Sequence, residues 1–379
     1  MNPSKDIFVI GVTGTKGKTT TIELINAGLK KAGYKTALNS SLRRKIAENS
    51  VYNKGNSMPG RFFLQRFLRE AVRASCKFAI IEVTSEGIAQ HRHAGIDFDA
   101  VVFLNLRPEH IESHGSFEKY KEAKLNLFKH LAKSRASKNK LFFVNKDDEY
   151  SKDFVKAAGE SGKIIPFSKS SIKSRLMGEF NKYNIGAAEA VLRVLGVPDE
   201  KIKNAILNFH GVEGRMELVL SKPFKVYIDY AHTPDSLEAV YQTLYKLKAN
   251  SSKLICVLGS AGGGRDKWKR PIFGKLAAEY CEEIILTNED PFDESPEKIL
   301  EEIESGIKAS KSYKLKAISF LKILDRREAI KKAVSLVKDA DTIVITGKGA
   351  ERFMRFANGR KIEWSDKDVT LEILKEAGL

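Results

Sequence analysis

The 379-residue sequence predicts an α/β protein with two domains. The first is a P-loop-type domain on a mostly parallel sheet, and the second is a C-terminal Rossmann-like α/β domain. Three observations predict this class. Apolar strand candidates alternate with amphipathic helical stretches. A glycine-rich turn follows the first strand candidate. Most strand candidates end in polar or glycine-rich loops, as in open parallel sheets that bind ligands at their carboxyl edge.

The strand candidates form two series, separated by a glycine-containing loop at Phe209–Glu217. The first series is Ile7–Val12, Phe78–Val83, Ala100–Leu104 and Leu141–Asn145, and the second is Lys225–Asp229, Lys253–Leu258, Glu283–Thr287 and Thr342–Thr346. A helical stretch, Asn184–Leu195, ends the first series. We therefore predict domains at residues 1–214 and 215–379. The polar segment Asn39–Arg61 fits neither pattern and is interpreted as a loop region on the substrate side.

Composition excludes several classes of protein. Hydrophobic residues make up 42% of the chain, which is ordinary for a globular protein, and no apolar run is long enough to cross a membrane. The net charge of +17 comes from lysines dispersed among acidic residues, which favours a solvated surface over a nucleic-acid site. Cys76, Cys256 and Cys281 have no metal-binding spacing and are typical of a reducing compartment. We expect a monomeric cytoplasmic protein.

The segment Ile7–Thr21, IFVIGVTGTKGKTTT, carries the strongest chemical signal. Its glycine-rich turn can wrap a polyphosphate with backbone N–H groups at the start of a helix. Lys18 would reach the outer phosphates and the Thr19 hydroxyl would bind Mg²⁺. Val12 stands where the strict P-loop pattern needs glycine, so this is a tighter variant. We expect ATP and Mg²⁺ to bind at Gly14, Thr15, Lys16, Gly17, Lys18, Thr19 and Thr20.

A second polar cluster lies within Ile81–Phe128. Glu82 ends an apolar strand, where its carboxylate could share a Mg²⁺ ion with Thr19. The other members of the cluster are Asn105, Glu109, His110, His114 and Lys124. Any one of these side chains alone would be interpreted as structural. Their grouping after a P-loop-type strand indicates a functional site.

The order of motifs resembles the Mur ligase family, most closely its tripeptide-synthetase (MurE) type. The matching segments span residues 7 to 351 and are GVTGTKGKTTT, EVTSEGIAQHRHAGIDFDAVVFLNLRPEHIESHGSFEKYKEAKLNLF, GEFNKYNIGAA, GVEGRME, IDYAHTPDSL, GSAGGGRDKWKRP, TNEDPFDESP and TGKGAE. The segments DYAHTPDSL and GGGRDKWKRP are far more specific than the P-loop alone. The family's usual N-terminal uridine-nucleotide-binding domain is expected to be missing, because the P-loop strand begins by Ile7.

The resemblance implies roles for individual residues. His110 would help to hold a second metal ion, and Lys124 matches a lysine that the family carries as a carbamate. Asn181 would contact the adenine side of ATP. In the second domain, Arg215 would reach the phosphates, and Asp229 with His232 would close over the nucleotide. The implied catalytic residues are Lys18, Lys124, His110 and Arg215, and the implied metal ligands are Thr19, Glu82, His110 and Lys124.

The implied reaction is an ADP-forming amide ligation. A substrate carboxylate attacks the γ-phosphorus of ATP, and the amine of an amino acid then displaces phosphate from the acyl phosphate. Positioning and charge neutralisation would supply the rate enhancement, without a serine or cysteine nucleophile. The partners would be a small-molecule carboxylate precursor and a free amino acid.

The incoming amino acid is expected to be L-lysine or another diamino acid. Family members that add diaminopimelate resemble a D-N-P-R pattern, whose arginine holds the distal carboxylate. Here the corresponding residues are Asp290, Pro291 and Phe292, so that arginine is absent. Asp290 and Glu351 would suit a terminal ammonium. Arg265 would bind the α-carboxylate, with Gly347 beside the side chain. The alternative is that the acidic run only precedes a helix beginning at Pro296.

The precursor side departs further from the family. Ser57 and Met58 stand where a threonine pair is expected, and Glu86 stands where the family has histidine. The residues expected near the precursor are Ser57, Arg61, Ser85 and Arg92.

Three hypotheses of function therefore stay open at this point. The first is ligation of a diamino acid to a peptidoglycan-type precursor. The second is ligation to a substrate without UDP, as in poly-γ-glutamate, folylpolyglutamate, cyanophycin or pseudomurein-like synthesis. The third is a non-catalytic nucleotide-binding partner of another ligase.

Overall fold

The computed structural model describes residues 2–53, 57–109, 111–134, 139–249, 251–315 and 318–379. It consists of two units, Met1–His210 and Gly211–Leu379. The division falls in the segment between a helix ending at Leu207 and a strand beginning at Glu217. The predicted domain boundary after Gly214 falls in the same segment and stays a prediction. Among the described residues, no helix has the length and apolar character needed to span a membrane.

An eight-stranded sheet organises the described part of the first unit. Its strands are β1 (Phe8–Thr13), β2 (Thr36–Asn39), β3 (Arg43–Ile46), β4 (Asn49–Tyr52), β5 (Phe78–Glu82), β6 (Ala100–Phe103), β7 (Leu141–Asn145) and β8 (Lys163–Phe167). The order across the sheet is β4-β3-β2-β5-β1-β6-β7-β8. The strands from β2 to β8 in that order are parallel, whereas β3 and β4 add an antiparallel edge. β1 therefore lies at the centre, and its carboxyl end opens onto the glycine-rich turn.

Helices cover both faces of this sheet. They are α1 (Lys18–Lys31), α2 (Arg61–Arg73), α3 (Ser85–Ala89), α4 (Ile111–His114), α5 (Phe117–Lys133), α6 (Ser151–Ala158), α7 (Glu179–Val194) and α8 (Asp199–Leu207). One face packs α2, α5 and α6 through aromatic residues such as Phe67, Phe128 and Phe154. The other face packs α1, α7 and α8, and a side chain on Gly28 would collide with Leu192. Burial on both faces explains why the sequences of the central strands are continuous apolar runs.

A six-stranded sheet organises the described part of the second unit, in the order β13-β12-β11-β14-β10-β9. Its strands are β9 (Glu217–Leu220), β10 (Lys225–Asp229), β11 (Leu254–Leu258), β12 (Glu283–Leu286), β13 (Ser319–Lys322) and β14 (Thr342–Thr346), and a separate hairpin comprises β15 (Phe353–Arg355) and β16 (Lys361–Glu363). All neighbours in the sheet are parallel except β9 and β10. The helices are α9 (Pro234–Leu247), α10 (Lys269–Tyr280), α11 (Pro296–Ala309), α12 (Lys311–Leu315), α13 (Arg326–Leu336) and α14 (Asp366–Glu376).

The eight predicted strands are confirmed as β1, β5, β6, β7, β10, β11, β12 and β14, with ends that differ by at most a residue or so. The interpretation of Asn39–Arg61 as a loop region is wrong for part of its length, because β3 and β4 lie there. Both strands belong to an antiparallel sheet edge, and β4 is exposed along its whole length. Their polar residues therefore give no apolar run from which a strand could be predicted.

Candidate active site

The glycine-rich turn joins β1 to α1. Gly14 and Gly17 both adopt positive φ angles, 156° and 85°. A Cβ atom on Gly17 would collide with the amide of Asn184, and a Cβ atom on Gly14 would press against Leu104. Only glycine therefore allows the backbone to pass so close to its neighbours. The turn leaves the first N–H groups of α1 without helical partners, which is the arrangement that binds anions.

Two lysine amines converge on this turn. Lys18 Nζ donates to the carbonyl oxygens of Gly14 and Thr15, each at 3.0 Å. Lys124 Nζ, from α5, donates to the same Gly14 oxygen at 2.9 Å and lies 4.8 Å from the ring centre of Tyr120. Lys124 is fully buried, and its burial, reinforced by the nearby Lys18 cation, holds its pKa well below the usual value. Burial therefore shifts this amine toward its neutral form.

A set of oxygen donors lies at the carboxyl end of β5. Thr19 Oγ1 donates to Glu82 Oε2 at 3.1 Å and lies 2.8 Å from Ser41 Oγ. The Ser41 backbone N–H donates to the same Glu82 oxygen at 2.9 Å. A carboxylate with two hydroxyls is a donor set that suits Mg²⁺. The structure thus brings Thr19 and Glu82 together, and it adds Ser41, which lies in the polar segment that gave no sequence signal.

Further polar contacts fix the turn against the loop after β6. The Lys16 backbone N–H donates to Asn105 Oδ1 at 2.9 Å, and Lys16 Nζ forms a 2.8 Å ion pair with Glu109. Thr15 Oγ1 lies 2.9 Å from the hydroxyl of Tyr120. Tyr120 was missed from the sequence, although its spacing of four residues before Lys124 places both side chains on one face of a helix. Its burial raises the pKa of its hydroxyl well above the usual value.

The remaining residues predicted for the first unit have different surroundings. Asn181 is buried, donates to the Met177 carbonyl at 2.7 Å and accepts from Asn184 at 2.8 Å. Thr20 is buried in the first turn of α1. His110 lies outside the described residues.

The predicted precursor residues follow β4 and β5. The Ser57 carbonyl accepts from Asn39 at 2.9 Å, and Arg92 donates to the carbonyl of Met58 at 2.6 Å. Ser85 Oγ lies 3.1 Å from His114 Nε2, whereas Arg61 is exposed at the start of α2. The Arg92 contact therefore joins the segment after β4 to the loop after α3.

In the second unit, the predicted nucleotide residues surround the end of β10. Asp229 accepts from the backbone N–H groups of Met216 and Ala231, both at 2.7 Å, so it holds the chain on either side in place. The Arg215 guanidinium lies 4.2 Å from the ring centre of Tyr230. His232 Nδ1 lies 2.6 Å from the Tyr230 carbonyl. These contacts orient the side chains within the second unit.

The predicted amino-acid residues belong to a network of charges. Lys348 Nζ, fully buried, forms ion pairs with Asp290 at 2.8 Å and Glu351 at 2.6 Å. Arg355 forms a further ion pair with Asp290 at 3.1 Å, and its guanidinium lies 6.0 Å from the ring centre of Phe292. Asp290 is thus already neutralised by two cations. The side chain of Glu351 is 31% exposed against 6% for Asp290, and it is the more accessible carboxylate for a ligand.

Two other predicted residues differ in their surroundings. Arg265 is exposed and has no hydrogen bond or ion pair with another described residue. Gly347 adopts a φ of 104°, and a Cβ there would collide with the carboxylate of Glu289. Lys348 was missed as a site residue although it lies inside the TGKGAE segment, since spacing does not reveal that its charge is buried. The acidic run does precede α11 at Pro296, yet Asp290 belongs to the network and not to the helix cap.

Fold and site together define a P-loop-type α/β protein with a second, Rossmann-like unit. The Mur ligase middle domain matches residues 12–173, and the Mur ligase glutamate ligase domain matches residues 214–349. The chain belongs to the Mur ligase family. It is an enzyme, an ADP-forming ligase that joins an acid to an amino acid.

Individual relatives agree with this assignment. The UDP-N-acetylmuramoyl-L-alanyl-D-glutamate--2,6-diaminopimelate ligase of Halalkalibacterium halodurans is 35% identical over 99% of this chain and 79% of the relative. The enzyme of the same name from Aquifex aeolicus is 36% identical over 98% and 78%. A solved structure of a ligase with this name aligns with a TM-score of 0.65 at 28% identity, covering 98% and 79%. Mycobacterium tuberculosis folylpolyglutamate synthase aligns at 0.70 over 91% and 89%, but its 17% identity shows the fold alone.

Proposed function

We propose that this ligase uses ATP to activate a carboxylate of a peptidoglycan-type precursor as an acyl phosphate and then joins it to a diamino acid. The observation that carries the proposal is the convergence of Lys18, Lys124, Thr19 and Glu82 on one glycine-rich turn at the centre of the sheet. The relatives named for diaminopimelate ligation of UDP-N-acetylmuramoyl-L-alanyl-D-glutamate support the precursor class.

The turn supplies the groups that an ATP polyphosphate needs. Backbone N–H groups at the start of α1 and the Lys18 amine would hold the phosphates. Thr19, Glu82 and Ser41 would hold Mg²⁺, which neutralises phosphate charge when bound. In the first step the precursor carboxylate attacks the γ-phosphorus and ADP leaves. In the second step the uncharged amine of the amino acid attacks the acyl carbon, phosphate leaves, and the amine nitrogen loses a proton as the amide forms.

Lys124 would act after modification by CO₂. A carbamate forms when a neutral amine attacks CO₂, making an N–C bond and releasing a proton, and burial favours that neutral amine here. The product is an anionic oxygen ligand in place of an amine, suited to a second Mg²⁺ with His110. Arg215, Asp229, His232 and Asn181 stay proposed nucleotide contacts.

The choice of diamino acid depends on two opposing observations. Phe292 replaces the arginine expected to hold the distal carboxylate of diaminopimelate, which favours L-lysine. A second candidate is diaminopimelate itself, because the Arg355 guanidinium lies 6.0 Å from the Phe292 ring centre and could replace that arginine. In both cases Arg265 would bind the α-carboxylate, and Glu351 would face an ammonium.

The test is ADP formation by the purified chain with ATP, Mg²⁺, a precursor panel that includes UDP-muramoyl dipeptide, and either lysine or diaminopimelate. Product mass identifies the bond. ADP release that requires both an acid and a diamino acid supports the proposal, and release with glutamate alone as acceptor contradicts it. Arg355→Ala separates the two candidates, since it should lower kcat/KM for diaminopimelate far more than for lysine only if Arg355 binds the distal carboxylate.

The proposed compartment is the cytoplasm. The three cysteines, Cys76, Cys256 and Cys281, are free and buried, which fits a reducing environment.

A further inference from the structure

A cavity lies away from the glycine-rich turn, between α5 and the loop that follows α3. Its volume is about 260 Å³, and it is lined by Ile88, His91, His93, Asn126, Lys129, His130 and Lys133. Three histidines and two lysines thus line one space, and these lining residues include no carboxylate. None of them belongs to the proposed ATP, metal or amino-acid sites.

His93 is the centre of this histidine–lysine pocket. It is 7% exposed, and its buried Nδ1 has no hydrogen-bond partner among the residues that the structure describes. Its ring meets the His130 ring edge-on at a centroid distance of 4.9 Å and lies 6.3 Å from the His91 ring. His130 Nε2 lies 2.9 Å from the Ile96 carbonyl and must donate to it, since a carbonyl only accepts. His130 therefore keeps Nδ1 for another partner.

The charges around the pocket are unbalanced. Lys129 pairs with Glu122 at 2.6 Å, whereas Lys133 is exposed and has no ion pair with a described residue. Burial, followed by the fields of His130 and His91, lowers the pKa of His93 to about 4. Positive charge on His130 or His91 disfavours a further cation at His93 but would stabilise an anion, and an anion would in turn favour protonated imidazoles.

We propose that the histidine–lysine pocket binds a tetrahedral oxyanion of the phosphate class, with Lys133 and protonated His93 and His130 as its donors. The inference does not depend on the proposed function. Arg92 lies between His91 and His93 in sequence and donates to the Met58 carbonyl. An anion bound in the pocket would therefore also hold the Arg92–Met58 contact in place.

The experiment follows the histidine ring signals of the full chain by NMR, with ¹³C-labelled histidine and sulfate as the probe. Sulfate keeps its charge between pH 6 and pH 8, so any pH dependence of binding comes from the protein. We expect sulfate to move the His93 and His130 signals and to bind more tightly at pH 6. For each proton that the protein takes up with sulfate, lowering the pH by one unit tightens sulfate binding by at most about tenfold. Phosphate should move the same signals.

Two variants test the site, and a third is the control. Lys133→Gln changes an exposed side chain and should weaken sulfate binding without affecting folding, and His93→Phe should reduce the pH dependence to the part that His130 supplies. His210→Gln, at an exposed histidine outside the pocket, should bind sulfate as the unmodified chain does. The proposal is overturned if millimolar sulfate at pH 6 moves neither signal, or if Lys133→Gln binds it unchanged. It is also overturned if Zn²⁺ moves these signals and sulfate does not.

Discussion

Replacing Glu289 by glutamine should stabilise the second unit at pH 8 and leave its stability nearly unchanged at pH 4.5. Glu289 is buried beside Gly347, and no described residue forms a hydrogen bond with its Oε2. Burial raises the pKa of this carboxyl to about 7, although Lys269, Lys348 and Arg326 act in the opposite direction. At pH 8 the native unit therefore carries a buried carboxylate that lacks a complete set of partners.

The pKa gives both the sign and the size of the effect. The native state holds a proton on Glu289 up to about pH 7, whereas the unfolded chain releases it near its ordinary value of 4.5. Stability associated with this group is therefore complete below pH 4.5 and is lost as the pH rises to 7. At about 1.36 kcal/mol per pH unit, the loss is about 3 kcal/mol. Glutamine keeps the shape, has no charge to bury, and avoids that loss.

Urea unfolding followed by tryptophan fluorescence measures the change. Trp268 and Trp364 are the two tryptophans of the chain, and both lie in the second unit, so the signal reports that unit. Glu301→Gln, at an exposed position on α11, serves as the control and should have no effect at either pH. Equal changes in unfolding free energy for Glu289→Gln at pH 4.5 and pH 8 would refute the reasoning.

Three further substitutions test other parts of the site. Lys124→Ala should lower kcat by about 10²–10³-fold in an ADP-release assay, as removal of a preorganised charge does. Added short carboxylates should restore part of the lost activity. An unchanged kcat would exclude Lys124 from the chemistry. Thr19→Val should raise the Mg²⁺ concentration needed for half-maximal ADP release, and an unchanged requirement would remove Thr19 from the metal site. Arg326→Met removes one partner of a fully buried 2.8 Å ion pair and leaves the Asp366 charge unpaired, which should cost about 3–5 kcal/mol in urea unfolding. A loss below about 1 kcal/mol would contradict the expectation that this pair stabilises the second unit.

The central strands could be predicted because burial on both faces leaves an uninterrupted apolar run. β7, β10 and β14 begin and end at the predicted residues for this reason. Edge strands carry no such run. β4 is exposed throughout and β13 is mostly exposed, so neither strand has the apolar run that burial would impose. Local sequence could not predict them.

The site divides in the same way. Lys18, Thr19 and Glu82 could be placed from the sequence because each lies at or just after the carboxyl end of a strand, and parallel strands end at the same edge. Ser41 and Tyr120 could not be placed, because one follows a strand that was not predicted and the other touches Thr15 from a helix. The shared Gly14 carbonyl between Lys18 and Lys124 is likewise a property of the folded chain alone.

The amino-acid network shows why a single position cannot decide specificity. The negative charge of Asp290 suggested an ammonium partner in the substrate. In the folded chain, Lys348 and Arg355 already form ion pairs with this carboxylate. Arg326 then donates to the carbonyls of Asn288 and Thr346, next to the two loops that carry Asp290 and Lys348. Ion pairs and hydrogen bonds therefore connect these loops into one network. After these pairings the accessible charge lies mainly on Glu351 and Arg355, whose side chains are 31% and 33% exposed.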